Sequence, residues 1–220
     1  MEKLIIISGA ARTKAASNTA AIIESFVKGF QETGGMAECF YLSDRKQWTD
    51  AKKAFENNAD ILIAFPLYVE NLPGILLEFL AGLTPKKETD QATLFFLVQG
   101  GFDEASQSRC CEAYLKTLPV MLGCRYGGTL LKGSNFGIRF VDGKQKEKML
   151  APWEEMGRIF ARKCSFDTEE AKAFAGDEYM AERDAKRFMR FGKYFMRIFM
   201  NRLSKKLGRK RSLMDRPYFH

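Results

Sequence analysis

Histidine is almost absent from this chain of 220 residues, since its only histidine is the last residue, His220. The chain therefore has no imidazole for Ser-His-Asp or Cys-His catalysis and no histidine cluster for a metal. No metal site is expected. If the protein is an enzyme, a bound cofactor must supply the reactive group.

Cysteine is also scarce, and its spacing suits neither disulfides nor metals. An odd number of cysteines without C-x-x-C spacing argues against a disulfide framework, a zinc site and a compact iron–sulfur cluster. Small buried thiols are the default interpretation. A redox role for the adjacent pair Cys110-Cys111 stays open. The five cysteines are Cys39, Cys110, Cys111, Cys124 and Cys164.

Long apolar runs and targeting signals are missing as well. Met1-Glu2-Lys3 leads directly into an apolar strand rather than a signal peptide, and no segment is apolar for long enough to cross a bilayer. We therefore expect a cytoplasmic protein. The length and the ordinary apolar fraction of 46% suit one α/β domain with an extension.

Five short apolar strands alternate with helical segments over residues 1–165. Uncharged, β-branched strands such as Leu4–Ile7 are typical of a parallel sheet covered on both faces. The alternation predicts a doubly wound, three-layer sandwich with strand order 2-1-3-4-5 and a ligand at the carboxyl edge. The predicted strands are 3–8, 37–42, 58–65, 93–99 and 126–132, and the predicted helices are 19–30, 50–57, 74–83, 105–122 and 145–164.

The first strand ends in a long polar loop, 9–17, which leads into the helix from Thr19. Ser17 or Asn18 can cap that helix, and its free N–H groups and dipole favour an anion. The loop has neither the Gly-Lys-Ser/Thr of a triphosphate-binding loop nor the three glycines of a dinucleotide-binding turn. It suits the terminal phosphate of a mononucleotide, although an ordinary βα connection is the alternative.

Two further loops leave the same predicted edge. The second, 66–73, is apolar, carries Tyr68 and is stiffened by two prolines, whereas the third begins with Gly100-Gly101, which allows a ligand to approach the backbone. A planar ring with a phosphate tail would use all three loops. Tyr68 and Phe102 could instead cover the core.

With these loops in this order, the chain resembles the NADPH-dependent FMN reductases of the flavodoxin-like superfamily over about residues 1–165. The resemblance implies an FMN-dependent oxidoreductase with NAD(P)H as co-substrate and a small-molecule acceptor. It depends on Ser8-Gly9, Arg12, Ser17-Asn18-Thr19, Pro66-Leu67-Tyr68, Pro73 and Gly100-Gly101.

The resemblance also implies which residues bind the cofactor. It assigns the FMN phosphate to Ser8, Arg12, Ser17, Asn18 and Thr19. It assigns the isoalloxazine ring to Pro66, Leu67, Tyr68, Val69, Glu70 and Asn71, with Gly100, Gly101 and Phe102 on the other side. The loop departs from the family pattern at Val69-Glu70-Asn71, where an inward-pointing Glu70 would disfavour an anionic reduced flavin.

The resulting prediction is an FMN-dependent NAD(P)H oxidoreductase that reduces a quinone, a flavin or another acceptor. Catalytic side chains are not assigned, because the flavin carries the chemistry. Two alternatives remain. One is a flavodoxin-type electron carrier without enzymatic activity, and the other is a membrane- or nucleic-acid-bound interaction module that keeps only the fold.

A basic extension, 177–211, follows the predicted domain. Residues 183–211 contain twelve Lys or Arg and one acid, a net charge of +11 against +8 for the whole chain, so the remainder is acidic at −3. Its Phe and Ile residues recur at helical spacing. The helix could pack on the core or a second subunit as a homodimer, or lie on an anionic membrane at the inner face. Nucleic-acid binding is a third option, but no base-reading motif supports it.

Overall fold

The computed structural model describes residues 3–87, 90–206 and 208–209. Leu207, Lys210 and Arg211 of the predicted basic extension, and His220, lie outside the described residues. The strands are β1 (Lys3–Ser8), β2 (Met36–Tyr41), β3 (Asp60–Pro66), β4 (Thr93–Gln99) and β5 (Arg125–Lys132). The helices are α1 (Asn18–Gln31), α2 (Trp48–Asn57), α3 (Gly74–Ala81), α4 (Arg109–Met121), α5 (Gly143–Lys163), α6 (Glu169–Ala175), α7 (Glu182–Arg187) and α8 (Lys193–Lys206).

The five strands form one parallel sheet in the order β2-β1-β3-β4-β5, which confirms the predicted topology. From β1 the chain adds β2 on one side and then β3 on the other. The loops after β1 and β3 therefore diverge and leave a crevice at the carboxyl edge of the sheet. Strand side chains alternate between two apolar layers: Ile5 and Ile7 face α2, α3 and α4, whereas Leu4 and Ile6 face α1 and α5. The sheet therefore has no solvent-exposed face over its central strands.

Helices α1 and α5 cross closely on one face of the sheet, and two glycines permit the approach. A Cβ atom on Gly29 would lie 1.9 Å from the carbonyl oxygen of Glu154, and one on Gly157 would lie 2.0 Å from that of Phe26. Beneath the crossing, Phe160 packs against the rings of neighbouring phenylalanines at centroid distances between 4.5 and 6.1 Å. This crossing places the amino end of α1 beside the loop that precedes α5.

One helix boundary and one short helix differ from the sequence prediction. Residues 105–108, predicted as helix, form a 3₁₀ turn whose Ala105 and Ser106 N–H groups donate to the carbonyl oxygens of Asp177 and Glu178. These partners lie about 70 residues away in the sequence, so local periodicity contains no signal for them. Helix α6 was not predicted, because seven residues are too few for a periodic pattern.

By its contacts the chain divides into two units, residues 1–178 and 179–220. The first contains the sheet and α1 to α6. In the second, α7 passes through a π-helical turn, Phe188–Gly192, into α8, where a continuous helix over 183–211 was predicted. None of the described helices has both the length and the apolar character needed to cross a bilayer.

Candidate functional site

Four loops at the carboxyl edge of the sheet surround a cleft of about 480 Å³. They follow β1, β3, β4 and β5, so the crevice at the reversal point between β1 and β3 forms part of it. Its volume is within the range of small-molecule and cofactor pockets. The cleft is lined by Ala10, Arg12, Ser17, Asn18, Thr19, Pro66, Leu67, Tyr68, Val69, Glu70, Gln99, Gly100, Gly101, Phe102, Gln107, Ser108, Phe136 and Arg139.

All the residues predicted to bind the cofactor line this cleft except Ser8 and Asn71. Ser8 is buried at the end of β1, where its carbonyl oxygen accepts a hydrogen bond from Leu42 N–H at 3.0 Å. The side chain of Asn71 accepts a hydrogen bond from Leu72 N–H at 2.8 Å and so orders the second loop. Both residues therefore support the loops and do not form the wall of the cleft.

The amino end of α1 points its free N–H groups at the cleft. Ser17 is the N-cap, and its hydroxyl oxygen accepts from Ala20 N–H at 3.2 Å. The backbone N–H groups of Asn18 and Thr19 donate to no residue in the described part of the chain. Unsatisfied N–H groups at the positive end of a helix dipole form an anion site when other anion-binding groups accompany them.

Asn18 supplies the clearest sign of a missing partner. Its Nδ2 donates to the carbonyl oxygen of Asn135 at 2.7 Å, which leaves Oδ1 buried and without a hydrogen bond among the described residues. Asn135 is itself held by the indole N–H of Trp153 at 3.3 Å. An unpaired buried acceptor costs about 1–3 kcal/mol, so this position favours a ligand that carries a donor such as a hydroxyl.

The second loop contains a tight turn of unusual composition. Tyr68 and Asn71 exchange two backbone hydrogen bonds of 3.0 Å, and the residues between them, Val69 and Glu70, have φ of 48° and 60°. Positive φ at both central positions defines a type I′ turn, which normally carries Asn-Gly. A β-branched residue in this region is strained, and such strain is concentrated at functional sites. The N–H groups of Val69 and Glu70 have no acceptor among the described residues.

The side chains of this turn point outward. Val69 is 99% exposed, and Glu70 is exposed at the rim of the cleft. Tyr68, at 44% exposure, offers its ring as one wall. The outward position of Glu70 weakens the repulsion that an inward carboxylate would exert on an anionic ring.

The third and fourth loops are joined by backbone hydrogen bonds. Gly100 N–H donates to the carbonyl oxygen of Lys132 at 2.9 Å, and Ser134 N–H donates to that of Phe102 at 3.0 Å. A Cβ on Gly133 would lie 1.9 Å from the same Phe102 oxygen, so this contact requires glycine. These hydrogen bonds hold the third and fourth loops together as one wall of the cleft, and they bring residues after β5 into the site.

Arg139 and Phe136 form part of that wall and were not predicted. The Cζ atom of Arg139 lies 4.5 Å from the ring centroid of Phe140 and 5.6 Å from that of Phe136. Burial lowers the pKa of Arg139, and so does the nearby charge of Arg12, yet a guanidinium stays protonated at neutral pH. Its Nε is buried without a hydrogen bond among the described residues.

Two arginines thus line the same cleft, and their charges are close enough to interact. Neither Arg12 nor Arg139 forms an ion pair within the described ranges, whereas the half-buried Arg109 and Arg158 both do. Two close cations repel one another, which is why an anion of two charges would bind well between them.

Other residues of the lining also escaped the sequence interpretation. Gln99 is buried and its Nε2 donates to Thr19 Oγ1 at 3.2 Å, which joins β4 to α1. Ala10, Gln107 and Ser108 complete the set. For Phe136 and Arg139, the only available signal was the Phe-x-x-Arg-Phe spacing at 136–140, in the loop after β5.

The cysteines play no part in the cleft. Burial raises the pKa of Cys39 and Cys124 to about 11 and, with the neighbouring Cys110, that of Cys111 to about 12. These thiols are protonated at neutral pH, which argues against a reactive Cys110-Cys111 pair. Within the described residues no cluster of His, Cys, Asp and Glu is suited to a metal ion.

No protein-family model and no curated protein matches this chain. Solved structures do match the chain. The fold is flavodoxin-like. An FMN-dependent NADH-azoreductase from Bacillus anthracis str. Ames Ancestor, solved in complex with FMN, aligns with a TM-score of 0.52 at 13% identity, over 74% of this chain and 99% of its own.

Two further structures give the same result. An azoreductase from Bacillus anthracis str. Sterne aligns with a TM-score of 0.50 at 13% identity, over 74% of this chain and 100% of its own. An NADH:FMN oxidoreductase in its apo form aligns with a TM-score of 0.52 at 15% identity, over 82% and 97%. At such identities the likeness concerns the fold, and the function must be argued from the cleft.

Proposed function

We propose that this protein binds FMN in the cleft and uses it to oxidise NAD(P)H, passing the electrons to a quinone, a flavin or another small acceptor. The observation that carries the proposal is the pair of arginines without acidic partners beside the open end of α1 and the buried Asn18 Oδ1. This polar end adjoins an aromatic slot, so the cleft suits a ring with a phosphorylated, hydroxyl-bearing tail. The residues that would bind it all belong to the predicted domain, 1–165.

The phosphate would lie at the amino end of α1. There the N–H groups of Asn18 and Thr19 and the hydroxyl of Ser17 would donate to it, and Arg12 and Arg139 would balance its charge. A phosphate monoester carries about −1.5 to −2 at neutral pH, which two guanidinium groups offset. The ribityl chain would offer a hydroxyl to Asn18 Oδ1.

The ring would lie between the second loop and the third. Tyr68 would contact it on one side and the backbone of Gly100-Gly101 on the other, where the absence of side chains lets the ring approach closely. The N–H groups of Val69 and Glu70 would donate to the polar edge of the ring, and the strained turn would hold these donors in place before binding.

When bound, FMN supplies a hydride acceptor, and the protein contributes binding, orientation and exclusion of side reactions. Tyr68 is 44% exposed and Phe102 is 72% exposed, so their rings would be accessible to a second planar molecule. Donor and acceptor would bind there in turn, which predicts ping-pong kinetics with parallel double-reciprocal lines.

The test is to purify the full chain, load it with FMN and record its absorbance spectrum, and then to add NADH or NADPH without oxygen. Bound, bleachable flavin is expected, together with a turnover rate that depends on an added quinone. FMN should bind more tightly than riboflavin by several kcal/mol, because only FMN uses the phosphate site.

Two results would count against the proposal. Equal affinity for FMN and riboflavin would remove the phosphate site. Tight FMN binding without reduction by either nucleotide would leave a flavodoxin-type electron carrier in place of the enzyme.

A further inference from the structure

The second unit contains a long helical segment with exposed apolar side chains. Helix α7, the π-helical turn and α8 follow one another without a break from Glu182 to Lys206. At 1.5 Å per residue such a segment is roughly 35 Å long. All the residues that line the cleft precede this segment in the sequence.

Several apolar side chains along this segment are exposed, and five of them define what we call the apolar surface of the helix. Three of them lie in the π-helical turn and two lie one turn apart on α8. A soluble protein rarely exposes such residues so close together without a partner. They are Phe188 (52% exposed), Met189 (79%), Phe191 (50%), Met196 (47%) and Met200 (40%).

Cations accompany the apolar surface and lack acidic neighbours. Arg183 and Lys186 pair with Asp184 and Glu182 at the start of the segment. Further along, five cations form no ion pair with any described residue, and they are Arg187, Arg190, Arg197, Arg202 and Lys205.

The cations and the apolar side chains form adjoining stripes on α8. Met196 and Met200 are four residues apart, and Arg197, Asn201 and Lys205 continue at the same interval on the next face. Long basic side chains beside an apolar stripe can keep their charged ends in water while their stems cover apolar surface.

We propose that this segment docks the protein on an anionic lipid bilayer, with the apolar surface in the headgroup region and the cations against lipid phosphates. Neither α7 nor α8 can cross a bilayer, so the segment would lie along it. A second copy of the chain fits less well, because a symmetric contact would bring the same cations together. Nucleic acid would use the cations and leave the apolar side chains exposed.

The remainder of the chain strengthens this choice of partner. Residues outside 183–211 sum to −3, so the net charge of the rest of the chain does not favour an anionic bilayer, and the electrostatic attraction comes from this segment. The binding should therefore depend on the segment alone.

The test is co-sedimentation of the full chain with phospholipid vesicles. Binding is expected to vesicles of equal parts phosphatidylcholine and phosphatidylglycerol and not to phosphatidylcholine alone. Salt at about 1 M, where the Debye length is near 3 Å, should release most of the bound protein. Equal binding to both vesicles, or to neither, would overturn the proposal, as would duplex DNA retention without vesicle binding.

Paired variants separate the charge from the apolar contribution. The double variant Arg190→Glu with Arg197→Glu should weaken partitioning by roughly 25-fold or more, because each surface cation contributes about a factor of five and two are lost. The matched control is Lys144→Glu with Lys148→Glu, two exposed lysines of α5 that form no ion pair with a described residue, and it makes the same change in net charge. Equal loss in both would mean that overall charge, not the segment, drives binding.

The apolar surface is tested in the same assay. Met189→Ser with Met196→Ser should lower binding severalfold, because the apolar side chains no longer enter the bilayer. Met36→Ser with Met121→Ser, at 62% and 68% exposure on the α/β unit, should leave it unchanged. If the first pair had no effect, or if it dissociated a dimer while vesicle binding was absent, the proposed partner would be wrong.

Discussion

Replacing Arg139 should separate recognition of the FMN phosphate from recognition of the ring. The guanidinium lies on Phe136 and Phe140, has a buried Nε without a partner and lies close enough to Arg12 for the two charges to interact. In Arg139→Gln the stem and a polar end remain, while the charge is lost. The loop should therefore keep its shape.

The loss of FMN affinity expected for Arg139→Gln can be estimated from these contacts. A hydrogen bond to a charged group contributes about 1.5–3 kcal/mol. The lower half of that range applies, because the guanidinium is partly exposed and Arg12 remains. We expect FMN affinity to fall by about 1.5–2 kcal/mol, or roughly ten- to thirtyfold in Kd. Riboflavin affinity should change less than about twofold, since riboflavin has no phosphate.

Flavin fluorescence quenching measures both affinities. Arg125→Gln is the matched control, because Arg125 lies at the opposite end of β5, where it donates to the carbonyl oxygen of Gln91 at 2.9 Å. The double variant Arg12→Gln with Arg139→Gln should lose less than the sum of the two single losses, since removing one cation relieves the repulsion on the other. An equal loss of riboflavin affinity would show that Arg139 shapes the loop, and the charge argument would fail.

Three further predictions concern the free energy of unfolding. Gly157→Ala should lower the free energy of unfolding in urea by about 1–3 kcal/mol, because the new methyl group would force α1 and α5 apart, whereas Gly74→Ala, with open space around it, should change it little. Val69→Asn with Glu70→Gly should raise the free energy of unfolding by about 1 kcal/mol, because this pair prefers the type I′ turn, and a drop would refute the assigned strain. Burial raises the pKa of Cys111 from 9.0 to about 12, so the unfolded chain releases this proton first and stability should fall as pH rises above 9. The Cys111→Ala variant should lose part of that pH dependence in urea titrations, and an unchanged slope would contradict the burial of the thiol.

Much of the site could be predicted because strand ends determine where loops emerge. Once Leu4–Ile7 is recognised as a buried parallel strand, the loop after it must lie at the carboxyl edge together with those after β3 and β4. The predicted contacts at Ser17, Tyr68 and Gly100 lie on one cleft for this reason. Ser8 and Asn71 lie behind it, since neighbouring residues of an extended strand or a tight turn point in different directions.

The remaining features depend on partners far away in the sequence. Arg139 lies at the cleft because Asn18, Asn135 and Trp153 tie the loop after β5 to α1, and no local pattern encodes that contact. Positive φ at Val69 and Glu70 contradicts the preference of both residues, so only the surrounding structure can impose it.

The alternation of apolar strands and helices thus determined the parallel sheet and the edge that holds the site, because burial on both faces demands apolar strands and alternating helices. The strand order followed from the order that doubly wound sheets commonly have. Local composition also determined the charged, amphipathic character of residues 183–211. The tertiary structure alone decided which side chains face the cleft, where α1 and α5 cross and which buried polar atoms lack a partner. These features depend on distances between elements that are far apart in the chain, and residue type and spacing do not specify such distances.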